Sequence, residues 1–345
     1  MAKINQKIVV LATGGTIAGT ASSADDHTGY TAAQIGVDQL MRSVHGLPTA
    51  LQGHDLVTEQ VAQIDSKDMD FATMASLAAR CTYWLARDEV TAVVVTHGTD
   101  TLEETAYFLH CVLPFELQAA KPVVLTCAMR PATSSESDGP RNVCDAVRVA
   151  LEPQARGVVC VCAGDVHSAL HVQKVHSHAL NAFSSGDAGL VAQVMADAAG
   201  VQVNYTPLGI DFYNTNRALT QVNPAQAAIN SIVLGGKFPR IDIVLNHVNA
   251  TGSIVRALLA DRHEARAPLR GIVVAGTGNG TLATGLETAL LEAQSQGIKI
   301  VRASRCAWGG VSPTAQDTLP CTPLSPVKAR IAMAWQLLLE GANGG

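Results

Sequence analysis

Charge is scarce in this chain, and several familiar signatures are missing from it. Lys, Arg, Asp and Glu make up 15% of its 345 residues, and the formal net charge is -5. The basic residues are scattered rather than gathered into a stripe, so nucleic acid is not an expected partner, whereas a small solute needs no such field. No apolar run approaches the roughly 20 residues that span a bilayer, and no membrane partner is expected. Met1 to Lys7 leads straight into an apolar strand, without a long hydrophobic segment ending in a small-residue cleavage site. The expected location is therefore the cytoplasm.

Among the eight cysteines (Cys81, Cys111, Cys127, Cys144, Cys160, Cys162, Cys306 and Cys321) there is no C-x-x-C pair. Most sit inside apolar segments and read as buried, reduced thiols, which fits a reducing compartment. Cys160 and Cys162 alternate along an expected strand and point to opposite faces, so they are poorly placed to chelate one metal. Neither G-x-G-x-x-G nor a Walker-type Gly-Lys-Ser/Thr follows the first apolar strand. No cofactor is expected.

What the chain does have is apolar content, 48% of its residues, enough to bury a large core and to divide into two domains. Short Val- and Ile-rich runs alternate with helical patterns of a dozen or so residues. That alternation predicts an α/β fold: a larger N-terminal domain with a doubly wound, mostly parallel sheet, and a smaller C-terminal α/β domain. Val201 to Ala225 loses periodicity and is punctuated by Pro207, Gly209 and Pro224. The expected organisation is a catalytic domain over 1–205, a linker over 206–225 and a second domain over 226–345.

Two strand tips stand out. Ile8 to Leu11 is an unbroken apolar run that ends in Gly14 and Gly15, which let the backbone turn and present Thr16 at the carboxyl end of the strand. Ligands of open α/β sheets bind at that end. Ala92 to Val95 repeats the design, with Gly98 followed by Thr99 and Asp100. Thr101 and Glu104 have capping-box spacing, so a helix is expected from Leu102, with its positive end beside Thr99. Core threonines usually hide their hydroxyls against a carbonyl; two threonines after glycines at strand tips are hard to explain by packing.

The segment from Ala18 to Tyr30 is small, polar and aperiodic, and reads as a surface lid. Its one aromatic, Tyr30, either bonds Thr16 when the lid closes or simply anchors the loop. Ser66 is an expected N-cap of the helix running to Ala86, although the amides of the same turn suit a carboxylate, and Lys67 beside it is either a solvated charge or part of a site. His167, His171, His176 and His178 flank Lys174, but no carboxylate or cysteine completes a recognisable ligand spacing, so no metal is expected. Asn279 is presented by a third glycine-rich tip, Gly276 to Gly280.

The motifs Thr13-Gly-Gly-Thr-Ile-Ala-Gly19 and Thr96-His-Gly-Thr-Asp-Thr101 resemble the two signatures of bacterial-type L-asparaginases and glutaminase-asparaginases. The similarity continues in order through Ala128-Met-Arg-Pro-Ala-Thr133, Ser137-Asp-Gly-Pro140, Val172-Gln-Lys174 and Ala275-Gly-Thr-Gly-Asn-Gly280, and so spans nearly the whole chain. This resemblance implies that Thr16 is the nucleophile and Tyr30 its lid-borne partner. It implies a second catalytic cluster of Thr99, Asp100 and Lys174, with Ser66 and Asp100 holding the α-carboxylate and α-ammonium of an amino acid. It also implies a homotetramer made of two tight dimers, with Asn279 near the site of an adjacent subunit. Lys67 stands where Gln, Glu or Ser is more usual, and Thr318 to Thr322 lacks an acid found in many periplasmic relatives. Both changes make the amine subsite less negative, so either weak recognition of the substrate ammonium or a lysine turned toward the carboxylate is expected.

An internal threonine has no terminal amine to act as base, so Tyr30 or Lys174 must help. Asp100 beside Lys174 would stabilise the charged amine, so the expectation is that substrate ammonium diverts Asp100 before Lys174 yields a proton. The expected reaction is hydrolysis of L-asparagine to L-aspartate and ammonia through an acyl-threonine. The alternatives are a glutaminase or other small-amide hydrolase, and a non-catalytic amino-acid-binding α/β protein.

Overall fold

The computed structural model describes residues 5–26, 28–197, 200–207, 238–261 and 267–342. Two compact units are present, Met1–Val233 and Leu234–Gly345. Residues 208–225 of the expected linker lie outside the described residues.

In the first unit the apolar runs become parallel strands: β1 (Lys7–Gly14), β2 (Asp55–Ile64), β3 (Val90–Thr96), β4 (Val123–Thr126) and β5 (Val158–Cys162). They lie side by side in the order β2-β1-β3-β4-β5. Ile8 to Leu11 and Ala92 to Val95 are fully buried, as strands covered on both faces must be. The covering helices are α1 (Val37–Ser43), α2 (Leu47–Ala50), α3 (Phe71–Leu85), α4 (Leu102–Val112), α5 (Phe115–Ala120) and α6 (Gly139–Leu151). On one face Val143, Ala146 and Val147 of α6 join Val10, Val94, Val124 and Val159 in a single core, together with Val37, Leu40 and Met41 of α1. Helix α3 packs along β1, β2 and β3, and α4 against α3 and β5.

The chain runs from β1 outward to β2 and then crosses back to β3, so the direction of winding reverses between β1 and β3. A crevice opens at the carboxyl ends of the two strands flanking such a reversal. Thr16 and Thr99 follow those two strands.

Past β5 the sheet becomes antiparallel. β6 (Asp165–Ser168), β9 (Ala192–Asp197) and β10 (Gly200–Tyr205) extend it to eight strands among the described residues, and β7 (Gln173–Lys174) pairs with β8 (Phe183–Ser184). Val201 to Tyr205, expected to open an irregular boundary, is thus paired strand.

Two helix caps differ from expectation. The N-cap of α3 is Asp70, whose carboxylate accepts from Thr73 N at 2.7 Å. Ser66 instead opens a separate 3₁₀ turn, Ser66–Asp68, capped by Asp65. Thr101 precedes α4 as expected, but its hydroxyl caps nothing; it donates to Ser66 O at 2.7 Å. The capping-box spacing has been put to tertiary use.

The second unit holds parallel strands β11 (Arg240–Leu245), β12 (Leu269–Gly276) and β13 (Lys299–Ser304) in that lateral order, with α7 (Ser253–Ala260), α8 (Thr284–Ser295) and α9 (Pro326–Ala342). Leu286 and Leu290 of α8 pack with Ile272 and Val274, and Met333 of α9 packs with Val273.

Candidate active site

The tips of β1, β2 and β3 meet at Gly14 and Gly15 after β1 and Gly98 after β3. Gly15 adopts φ 82°, and a Cβ there would overlap the backbone of Gly98. A Cβ on Gly14, at φ 101°, would stand 2.5 Å from Ile64 O at the end of β2. A Cβ on Gly98 would overlap Ser66 Oγ. Three loops thus close on one point, through backbone at Gly14–Ile64 and Gly15–Gly98 and through the Ser66 side chain at Gly98, and Thr16, Ser66 and Thr99 flank it.

Thr16 begins the short 3₁₀ turn Thr16–Ala18 and is buried. Its Oγ lies 2.7 Å from the Tyr30 hydroxyl, and either oxygen can donate. Tyr30 is held there by its loop: Thr20 and Thr31 exchange two backbone hydrogen bonds, each 2.9 Å, closing the ends of the lid on each other. Asp26 secures the outer turn by accepting from the Thr28 and Gly29 amides.

Thr99 and Asp100 are reached from β7. Lys174 Nζ donates to Thr99 Oγ1 at 2.8 Å and pairs with Asp100 Oδ1 at 2.6 Å. Thr99 is buried, whereas half of the Asp100 side chain is open to solvent. Asp100 N donates to Ser66 Oγ at 3.2 Å. Since Lys174 and the Asp100 amide are both donors here, the hydroxyls of Thr99 and Ser66 act as acceptors in these bonds, and each keeps its own proton to give elsewhere.

The expected residues therefore gather in two groups: Thr16 with Tyr30, and Ser66 with Thr99, Asp100 and Lys174. Lys67 joins neither through a side-chain bond. Its ammonium lies 3.0 Å from Asp65 and 2.8 Å from Asp68, and these carboxylates raise its pKa, Asp68 most. Asn279, in the second unit, ties the loop after β12 to the segment after β13: its amide donates to Ser312 O at 2.9 Å and accepts from Ser312 N at 2.8 Å. Three of the histidines near Lys174 have hydrogen-bond partners of their own for their side chains. His167 meets Ser185 Oγ, His171 meets Ser168 Oγ, and His176 Nδ1 accepts from the amides of His178 and Ala179.

Four residues that shape the site were given no role from the sequence, although His97, Asp138 and Thr133 lie in the motifs quoted above. His97 is wholly buried between Gly98 O, 2.7 Å from Nδ1, and Thr105 Oγ1, 2.9 Å from Nε2. Burial drops its pKa to about 4, so the ring is neutral; Nδ1 must carry the proton donated to the Gly98 carbonyl, and Nε2 accepts from Thr105. Asp138 accepts from the amides of Met129 and Arg130 at 2.9 and 3.0 Å, and Asn142 bonds Asp138, Cys127 O and Ala163 N. Together they lock the loop between β4 and α6. Thr133, on that loop, accepts from Ala21 N of the lid. An Asp directly before a Gly-Pro helix start was the available signal for Asp138; a histidine inside a strand-tip motif was the signal for His97.

Matches to known families cover both units. A model described as "Asparaginase, N-terminal" matches residues 7–208, and one described as "Glutaminase/Asparaginase C-terminal domain" matches residues 240–341. The chain belongs to the asparaginase family. Relatives within that family include L-asparaginase 2 of Bacillus subtilis, 32% identical with 94% of this chain and 81% of that protein aligned. A glutaminase-asparaginase of Pseudomonas fluorescens is 33% identical, with 94% of this chain and 84% of that protein aligned. Among solved structures, a probable cytoplasmic L-asparaginase from Campylobacter jejuni superposes with a TM-score of 0.81 at 33% identity, covering 96% of this chain and 95% of that one. The doubly wound sheet and the separate small parallel sheet are thus the architecture of an asparaginase-family protein.

Proposed function

We propose that this protein hydrolyses L-asparagine to L-aspartate and ammonia, with Thr16 as nucleophile. The observation that carries the proposal is the pairing of Thr16 Oγ with Tyr30 at 2.7 Å beside the Lys174, Thr99 and Asp100 cluster. A binding protein needs only the second group.

The Ser66 hydroxyl donates a hydrogen bond to the substrate α-carboxylate, and the exposed oxygen of Asp100 accepts from the α-ammonium. The side-chain amide then lies between the two threonines. The proton of Thr16 leaves through Tyr30, whose oxygen takes it up while the phenol passes its own proton to the departing nitrogen, as the Thr16 oxygen attacks the amide carbon. The Thr99 backbone amide supports the developing oxyanion, a contribution of roughly 3–4 kcal/mol for a good donor. Thr99, oriented by the Lys174 ammonium, donates a hydrogen bond to the amide group and holds it in place for this transfer. Ammonia leaves, an acyl-threonine remains, and water attacks it to release aspartate and restore the Thr16 hydroxyl. Asp100 has a second duty in this scheme. When substrate ammonium binds, it competes with Lys174 for the same carboxylate and so loosens the amine for proton transfer.

The family contains glutaminase-asparaginases as well, and both amides carry the α-amino acid head that Ser66 and Asp100 suit. The test is ammonia release from L-asparagine and L-glutamine side by side over a wide concentration range. Turnover of asparagine supports the reading, and silence on both overturns it. We further propose a homotetramer in the cytoplasm. The resemblance to the tetrameric family supports the assembly, and the eight free cysteines support a reducing compartment. Sedimentation of the purified protein at a tetramer mass is the expected outcome, and a monomer would refute the assembly.

A further inference from the structure

We infer that Thr133 is a positioning residue that latches the lid so that Tyr30 meets Thr16. The Thr20 and Thr31 bridge is antiparallel, so the residue before Thr31 and the residue after Thr20 face each other. Those residues are Tyr30 and Ala21. Thr133 Oγ1 accepts the Ala21 amide at 2.8 Å, so it grips the lid directly opposite the phenol that touches the nucleophile. Two backbone bonds flank the latch: Ala132 N donates to Gly19 O at 2.9 Å, and Ser135 N to Ala24 O at 3.2 Å. The loop that supplies Thr133 is itself rigid. Asp138 holds the amides at its start, Asn142 ties it to Cys127 O, and Ser134 N and Ser137 N bond Pro131 O and Ser134 O within it.

Among the described residues the lid is thus docked on this platform at three points, of which only Thr133 is a side chain and can be removed without touching the backbone. Losing it releases the exposed Ala21 amide to solvent and frees the lid arm opposite Tyr30. The Thr16 to Tyr30 distance then fluctuates, and the chemical step slows more than binding does. The inference rests on the proposed role of Tyr30, so its test includes a readout that needs no turnover.

The test compares Thr133→Val, which keeps shape and loses the acceptor, with Thr133→Ser, which keeps the acceptor. Three quantities are measured: amide exchange of the 19–31 segment, kcat and KM for L-asparagine, and Tm. Thr133→Val is expected to speed exchange at Ala21 about tenfold and to lower kcat about fivefold to tenfold, with a smaller change in KM. Tm should be unchanged, and Thr133→Ser should stay within about twofold of the parent throughout. Unchanged exchange in Thr133→Val refutes the latch. Faster exchange with unchanged kcat refutes the positioning role, and so does a Thr133→Ser protein as impaired as Thr133→Val. If the parent releases no ammonia, the asparagine reading fails, and exchange alone still decides whether Thr133 holds the lid.

Discussion

Adding one methyl group at Gly98 should disable the site without touching any reacting atom. A Cβ there would lie 2.6 Å from Ser66 Cβ and overlap Ser66 Oγ, and it would stand 3.1 Å from Gly15 Cα. Carbon pairs rest at about 3.5–4.0 Å, so something must move by roughly 1 Å. Each candidate for that movement has a role. Ser66 anchors the Asp100 amide and the Thr101 hydroxyl, Gly15 precedes Thr16, and the Gly98 backbone carries Thr99. Overpacking of this kind costs about 1–3 kcal/mol in stability. A displacement of that size at a reacting centre costs about 100-fold in rate. Gly98→Ala is therefore expected to lose about two orders of magnitude in kcat/KM for ammonia release while unfolding in urea as a folded, moderately destabilised protein. Gly341→Ala is the control. Its Cβ would meet nothing within 4 Å, and it sits in α9, so it should leave kcat/KM unchanged and shift stability by at most about 1 kcal/mol. A Gly98→Ala enzyme with kcat/KM within about threefold of the parent would refute the idea that contact between these loops sets the geometry of the site.

Lys174→Met should lower kcat by about 10²–10⁴-fold, because Thr99 loses its 2.8 Å donor; steady-state kinetics would show it, and a change confined to KM would contradict the role. Lys67→Gln should alter KM for L-asparagine by less than about twofold, since Asp65 and Asp68 already occupy its ammonium, and a larger change would place that charge in the substrate subsite. The buried neutral ring of His97 should make stability depend on pH. The folded protein takes up this proton only near pH 4 and the unfolded chain near 6.5, so stability falls as pH drops through that window, by up to about 3 kcal/mol, and this contribution does not fall further below it. Urea unfolding at several pH values should show a shallower slope for His97→Asn than for the parent; equal slopes would contradict it.

The features legible in the sequence were those written into local pattern. Unbroken apolar runs marked strands covered on both faces, and glycines after them marked tips where Thr16 and Thr99 stand in the crevice between β1 and β3. Helix caps were harder to read, because a Ser, Thr or Asp carries the same local signal whether it caps or reaches across the fold. Thr101 looked like a cap and instead bonds Ser66 O, and Asp70 rather than Ser66 caps α3. The start of the antiparallel extension was hidden because β6 is only four residues long, and the separate β7–β8 pair because each strand has two residues, too short for an alternation to register. The hold of Asp138 and Thr133 on their neighbours depends on contacts made through the folded loop, 8 to 112 residues apart in sequence, which no local spacing records.

The role of Thr16 is the centre of the account, and Thr16→Ala tests it most directly. Its ammonia release from L-asparagine should be compared with that of the parent at saturating substrate, with binding of L-aspartate followed by calorimetry on both proteins. A variant that still binds L-aspartate but releases ammonia at least about 10³-fold more slowly is the expected result. Turnover that survives the loss of this hydroxyl would contradict the nucleophile assignment and move the search for the reacting group to Thr99.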